Sequence, residues 1–304
     1  PTATSTPTAT STPTATSTPT ATSTPTATST PTVTNRSVIA GGLAHSLVIR
    51  SGEVVGWGNN AYGQITAPAG PFVAVVASQY HSLGLKADGT VVGWGDNDYL
   101  QIEIPVGLSG VLAIATGSDF SLALKANRTV MGWGENYSNQ ISIPSSLSSV
   151  TAIAAGGVHS LALQSDGSVI AWGDDSNGQV TVPTTVVNAV GIAAGANHSL
   201  AVLANGSVVA WGSNSAGQIT VPTTVVNAVG IAAGANHSLA LLADGSVVAW
   251  GNNSAGQSTV PATVVDAVAI AAGANHSLAV LSDGSVIAWG SNSAGQITVP
   301  SSGQ

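Results

Sequence analysis

The sequence predicts an all-β, seven-bladed propeller, and three observations predict it. All seven tryptophans stand in Trp-Gly pairs, at Trp57, Trp94, Trp133, Trp172, Trp211, Trp250 and Trp289, spaced by 37 and then five times by 39 residues. His-Ser-Leu recurs at His45, His81, His159, His198, His237 and His276, with Phe120 in its place in the third copy. Between these markers the apolar runs are short and bounded by turn residues. A repeat of this period has to be read before any single motif, because each copy is one supersecondary unit that buries its faces against its neighbours.

The unit 223–261 shows the expected elements in order. Val226 to Ala233 is small and β-branched, Gly234-Ala235-Asn236 breaks it, and Ser238 to Leu242 follows. Asp244-Gly245 is a hairpin turn, Val247 to Trp250 a third run, and Asn252 to Gly256 turns the chain into Gln257 to Val260. Four short strands joined by Gly and Asn turns predict a four-stranded antiparallel blade. The strand interiors are apolar on both faces, so each sheet needs a neighbour on either side, as blades have. An open solenoid needs polar end caps, and the first and last copies carry none, so a closed ring is predicted. The Ala/Gly-rich run, such as Ile192 to Gly195, suits the crowded centre. Segments 184–222 and 223–261 differ at four of 39 positions, so every copy has to solve the same packing problem.

Residues 1–34 read differently. Five copies of PTATST fill residues 1–30, with nothing large to bury. Such a segment cannot offset the entropy of ordering and is expected to be a disordered Pro/Thr-rich linker before a propeller domain of 35–304. In polyproline geometry it would reach on the order of 100 Å. Thr/Pro tracts serve as stalks, which points to an extracellular or cell-surface setting. Pro1 is not followed by an apolar signal core, so any export signal is expected upstream.

Charge narrows the partners. Only 6% of residues are charged, the net charge is −8, and no Lys or Arg occurs after Arg128. Nucleic-acid affinity comes largely from cations that neutralise phosphates, so nucleic acid and anionic membrane are excluded as main partners. No apolar run is long enough to span a bilayer as a helix. With zero cysteines, thiolate metal sites and disulfides are excluded. No cofactor is expected, and the propeller is expected to be monomeric.

The pattern AAGxxHSLAL, Asp-Gly, VxAWG, Asn, Gly-Gln, VP resembles the regulator of chromosome condensation repeat. Its compact 39-residue form is most similar to the secreted bacterial β-lactamase inhibitory proteins of type II. The resemblance covers residues 37–300 and implies a seven-bladed propeller. It also implies two loop slots on one face that carry binding aromatics: the residue before the His position, and the fourth and fifth residues after Trp. Those slots hold Tyr80 and Asp119 on one side, and Tyr62, Asp98, Tyr99 and Tyr137 on the other, all in copies one to three. Copies five to seven hold Asn197, Asn236 and Asn275 and three Ser-Ala pairs instead.

The ring of histidines invites a metal or acid/base reading. Equivalent positions spread around a ring diverge, whereas ligands must converge on one ion, so a structural role is expected, with each His bonding loop backbone between blades. The Trp-Gly pairs read as blade-to-blade packing. Catalysis needs different groups at one place, and near-identical copies do not supply them, so no enzyme is expected. The expected function is a non-catalytic binding module that engages a protein through blades 1–3. Its candidate residues are Tyr62, Tyr80, Asp96, Asp98, Tyr99, Asp119, Glu135 and Tyr137. The alternatives are a carbohydrate-binding propeller using the repeated Asn loops, a purely structural module, and an inhibitor of a secreted enzyme.

Overall fold

A computed structural model describes Pro1, Thr2 and residues 38–301. The expected linker over 1–34 and its boundary with the propeller fall almost wholly outside the described residues. The described chain is all-β and forms seven antiparallel sheets, one per repeat, in sequence order. Blade 1 comprises Ile39–Gly41, His45–Arg50 and Glu53–Gly58, and blade 5 comprises Ala189–Ala194, His198–Leu203 and Val208–Gly212. We call these the inner, middle and outer strands. The Ala/Gly-rich strand is indeed innermost, since its end and the following turn line a central depression in every blade, from Gly41 and Gly42 to Gly273 and Ala274.

Each blade has three strands, not the four expected. The fourth segment spends its backbone donors locally. Asn214 Oδ1 accepts the Ile219 N–H at 3.1 Å and Gln218 Oε1 accepts the Ala216 N–H at 2.8 Å. Gly217 turns through a positive φ of 85°, and Pro222 closes the segment without a donor. Side-chain bonds of this kind compete with a ladder, and proline cannot join one. The segment still packs on its blade: a Cβ on Gly56 would stand 2.7 Å from Ile65 Cβ. The blade surface is thus completed by side chains instead of a fourth ladder.

That segment also joins each blade to the next. Gln218 O accepts both the Trp250 Nε1–H and the Ser238 hydroxyl at 2.9 Å, so a residue of one repeat fills its two lone pairs from the following blade. Ser238 Oγ in turn meets His198 Nε2 at 3.0 Å. A hydroxyl has one proton, and here it goes to Gln218, so His198 Nε2 is the donor and the ring is the neutral Nε2–H tautomer. The expectation that each His bonds loop backbone is corrected accordingly: the partner is a serine hydroxyl of the next blade. The tryptophans pack across the boundary, Trp133 lying among Ala74, Leu83, Leu85 and Val91 of the preceding blade.

Phe120 provides an internal control, since Ser160 opposite it has no histidine but keeps its 2.7 Å bond to Gln140 O. Ser199 instead receives His159 Nε2 at 2.9 Å and donates to Gln179 O at 2.9 Å. Ser199→Ala leaves a buried imidazole N–H unpaired, which costs about 1–3 kcal/mol beyond the lost serine bond. Ser160→Ala loses only the serine bond. Urea denaturation of the two variants is expected to show that difference, and equal losses would contradict the assigned tautomer.

Candidate binding face

The face at which the inner strands end carries the turn before each His and the Gln segment after each Trp-Gly. The Gly of that pair is obligatory in geometry. Gly95 has φ of 104°, and a Cβ there would lie 2.5 Å from Tyr80 O. This close approach sets Asp96 N against Tyr80 O at 3.0 Å and, one blade on, Glu135 N against Asp119 O at 2.9 Å. The two loop slots of a blade are therefore side by side.

Tyr62 and Tyr80 meet across the boundary of blades 1 and 2, their ring centroids 5.0 Å apart and tilted by 46°. Aromatic rings prefer such tilted arrangements because their edges and faces carry opposite partial charge. Tyr62 is held by its N–H, bonded to Gln64 Oε1 at 2.9 Å, and Tyr99 repeats this with Gln101 Oε1 at 2.8 Å. Tyr99 occupies in blade 2 the place of Tyr62 in blade 1, and Asp119 takes the place of Tyr80. Tyr137 sits one position earlier in its loop and is 85% exposed, so its ring projects from blade 3 with little support.

The acids converge on the next boundary. Gln101 O accepts Trp133 Nε1–H at 2.9 Å, which lays the blade 2 segment on blade 3, and Gln101 Nε2 donates to Asp96 Oδ2 at 2.8 Å. Glu135 Oε2 receives Gln140 Nε2 at 3.2 Å. Burial, and then the negative charges of Glu135, Asp96 and Asp98, push the Asp119 carboxyl above the usual range. An aromatic pair and four mutually repelling carboxylates thus occupy neighbouring boundaries of one face.

The later blades fill the same loops with self-contained polar groups. Asn214, Asn253 and Asn292 each bond a Thr hydroxyl of their own segment, at 3.1, 2.8 and 3.3 Å. The central depression, of about 170 Å³, is lined by backbone and small side chains; Ser78, Gln79, Thr116 and Ser118 are its polar members. Gln79 Nε2 donates to Ser118 Oγ at 2.8 Å and the Ser78 hydroxyl to Ser118 O at 3.1 Å, so these groups are largely paired with one another. Among the described residues no group of three or more His, Cys, Asp and Glu side chains is placed to hold a metal ion. The buried residues that the sequence reading underweighted are the repeated Ser and Gln of the boundaries, whose signal was their recurrence in every copy.

A closed ring of sheets with one repeat per blade defines a repeat propeller, and its sequence places it in a family. The regulator of chromosome condensation (RCC1) repeat matches at residues 72–101, 111–140, 150–179, 189–218, 228–257 and 267–296, and the chain belongs to that family. No curated protein sequence matches it. Among solved structures it resembles the ectodomain of the Physcomitrella patens receptor kinase CR4, at 22% identity and a TM-score of 0.70, over 84% of this chain and 73% of that one. The ectodomain of the Arabidopsis thaliana receptor kinase ACR4 gives 21% and 0.69, over 84% and 97%. Prp20p of Saccharomyces cerevisiae, whose structure was described with its binding to Gsp1p and histones, gives 20% and 0.66, over 79% and 81%. At these identities the likeness is one of fold.

Proposed function

We propose that this propeller is a non-catalytic protein-binding module of the extracellular space or cell surface, which engages its partner through the loop face of blades 1–3. One observation carries the reading: the Tyr62–Tyr80 pair stands beside the carboxylate cluster of Asp96, Asp98, Asp119 and Glu135. Interfaces draw their energy from a few aromatic and Arg anchors, while rim charge steers encounter. Tyr62, Tyr80, Tyr99 and Tyr137 are the anchors, and the acids select a basic partner surface. The slots are those that the resemblance to the inhibitory proteins implies, which makes a secreted enzyme one class of partner to test. A second family member of this fold, Prp20p, is described as binding proteins, which supports the class and not the partner.

The test is photo-crosslinking from positions 80 and 99, compared with 236 and 275, in native secretome, alongside a glycan array. Protein adducts are expected from the tyrosine positions. With the captured partner, Tyr80→Ala and Tyr99→Ala are each expected to weaken binding by about 2 kcal/mol or more, the usual hot-spot threshold. Glycan binding lost on replacing Asn236 and Asn275, with the tyrosine variants unaffected, would replace this reading by the lectin one.

A further inference from the structure

The opposite face, where the middle and outer strands turn, has a polarity that the loop face does not share. The last residue of the middle strand is Arg50, Lys86 and Lys125 in blades 1–3, Gln164 in blade 4, and Leu203, Leu242 and Leu281 in blades 5–7. With Arg128 in the blade 3 hairpin, every Lys and Arg of the described residues lies on this face in one sector. Arg50 and Arg128 are anchored to Pro300 O and Val150 O at 3.1 and 3.5 Å, while the Lys86 ammonium lies 5.7 Å from the Phe72 ring. Glu53 and Asp88 stand among these bases, which leaves the sector positive. Blades 4–7 present Asp166, Asp244, Asp266 and Asp283 and no base.

The apolar groups overlap the acidic ones in blades 6 and 7, while blade 5 carries Asn188 and Asn205 where blade 7 carries Asp266 and Asp283. Each inner strand from blade 2 on begins with a bulge, between Ala189 and Gly191 in blade 5, that leaves one residue out of register. A bulge re-aims the extra side chain. In blades 5–7 that residue is Val190, Val229 and Val268, each about 60% exposed, and Val187, Val226 and Val265 in the preceding turns are as open. A depression beside Val226 is lined by Asn227, Leu242, Ala243 and Asp244. The basic sector has its own exposed apolar groups, Val106 and Leu112.

We propose that two copies of this chain associate through these hairpin faces, the basic sector of each covering the acidic, valine-bearing sector of the other. The sectors are centred on blades 2 and 6, nearly opposite on the ring. A two-fold axis in the plane of contact reverses the order of the blades, so sector 1–3 of one copy meets sector 5–7 of its partner and the contact is made twice. Such isologous pairing is the commonest route to a homodimer. Two acidic sectors repel, which fixes the register, and the valines meet apolar groups flanked by cations. The dimer replaces the monomer expected from sequence and leaves both loop faces free.

The experiment is sedimentation velocity on three purified proteins. Wild type is expected to dimerise with a Kd in the range of about 1–100 μM, weakening with salt. An acidic variant, Lys86→Glu with Lys125→Glu, and a basic variant, Ala204→Lys with Ala243→Lys and Ser282→Lys at exposed hairpin positions, are each expected to self-associate at least about ten-fold more weakly. Mixed in equal amounts they are expected to form a heterodimer, because both contacts are then complementary. If Lys86→Glu lowers the melting temperature, Lys125→Glu with Ala126→Glu takes its place. Val190→Thr, Val229→Thr and Val268→Thr copy Thr151 of blade 4, so they fit the bulge, and are expected to weaken the dimer. A wild type that stays monomeric to about 0.5 mM, variants that associate as tightly as wild type, or a mixture that stays monomeric each overturns the proposal.

Discussion

Acidification from pH 7 to about 5 is expected to remove most of the stability of this propeller. All six histidines are buried, and burial is the first cause holding their pKa values down from 6.5, to about 4 for His45, His159 and His237 and about 3 for His81, His198 and His276. The geometry agrees, because Nε2 faces a serine of the next blade and five of the Nδ1 atoms are enclosed without a partner. Below pH 6.5 the unfolded chain takes up protons that the folded chain refuses until about pH 4. The stabilisation is therefore complete above 6.5 and is lost as pH falls toward 4. At pH 5.5, one unit below the unfolded value, each histidine forfeits on the order of 1 kcal/mol, so six together approach the whole stability of an ordinary domain, about 5–15 kcal/mol. Guanidinium midpoints measured from pH 7.5 to 4.5 check this. His159→Phe copies Phe120 and should reduce the slope by one proton, whereas a midpoint flat down to pH 5 refutes the neutral buried ring.

Much of this was legible because the repeat is regular. Trp-Gly and His-Ser-Leu counted the blades, and the Ala/Gly run marked the inner strand, since only small side chains pack where seven strands converge. The fourth strand was misread because Gln257 to Val260 has strand-like composition, while Asn253 Oδ1 takes the Ser258 N–H from five residues away and Gln257 Oε1 takes the Ala255 N–H of the preceding turn. Composition cannot report such local bonding. The candidate site was half legible. Equivalent slots put Tyr62 beside Tyr80, but that Asp96 and Glu135 belong to one carboxylate group depends on each Gln segment lying on the following blade. The polarity of the hairpin face was hidden for a similar reason. Arg50, Lys86 and Lys125 look like scattered early bases until the strand register aligns them at one position.

Deleting residues 291–304 is expected to open the ring, because this segment does for blade 1 what each Gln segment does for the next blade. Gln296 O accepts Trp57 Nε1–H at 2.8 Å and the Ser46 hydroxyl at 2.9 Å. Ser46 also receives His276 Nε2 at 2.9 Å, so blade 7 and blade 1 meet through the same triad as any other pair. Arg50 reaches Pro300 O, and Val299 packs against the cluster of Trp57, Val48 and Leu278. Without the segment two buried donors lose their acceptor, at about 1–3 kcal/mol each, and the apolar cluster that Val299 covers is exposed as well. The sum is on the order of 5 kcal/mol, which at about 2–4 °C per kcal/mol lowers the melting temperature by roughly 10–20 °C or prevents folding. Removing 302–304 alone leaves the Gln296 and Pro300 contacts in place and should change little. A circular permutant that joins Pro300 to Ile39 through a short Gly/Ser linker and starts at Pro71 keeps every boundary and is expected to fold. Equal melting temperatures for the 291–304 deletion and the full chain would show that the ring closes through its sheets alone.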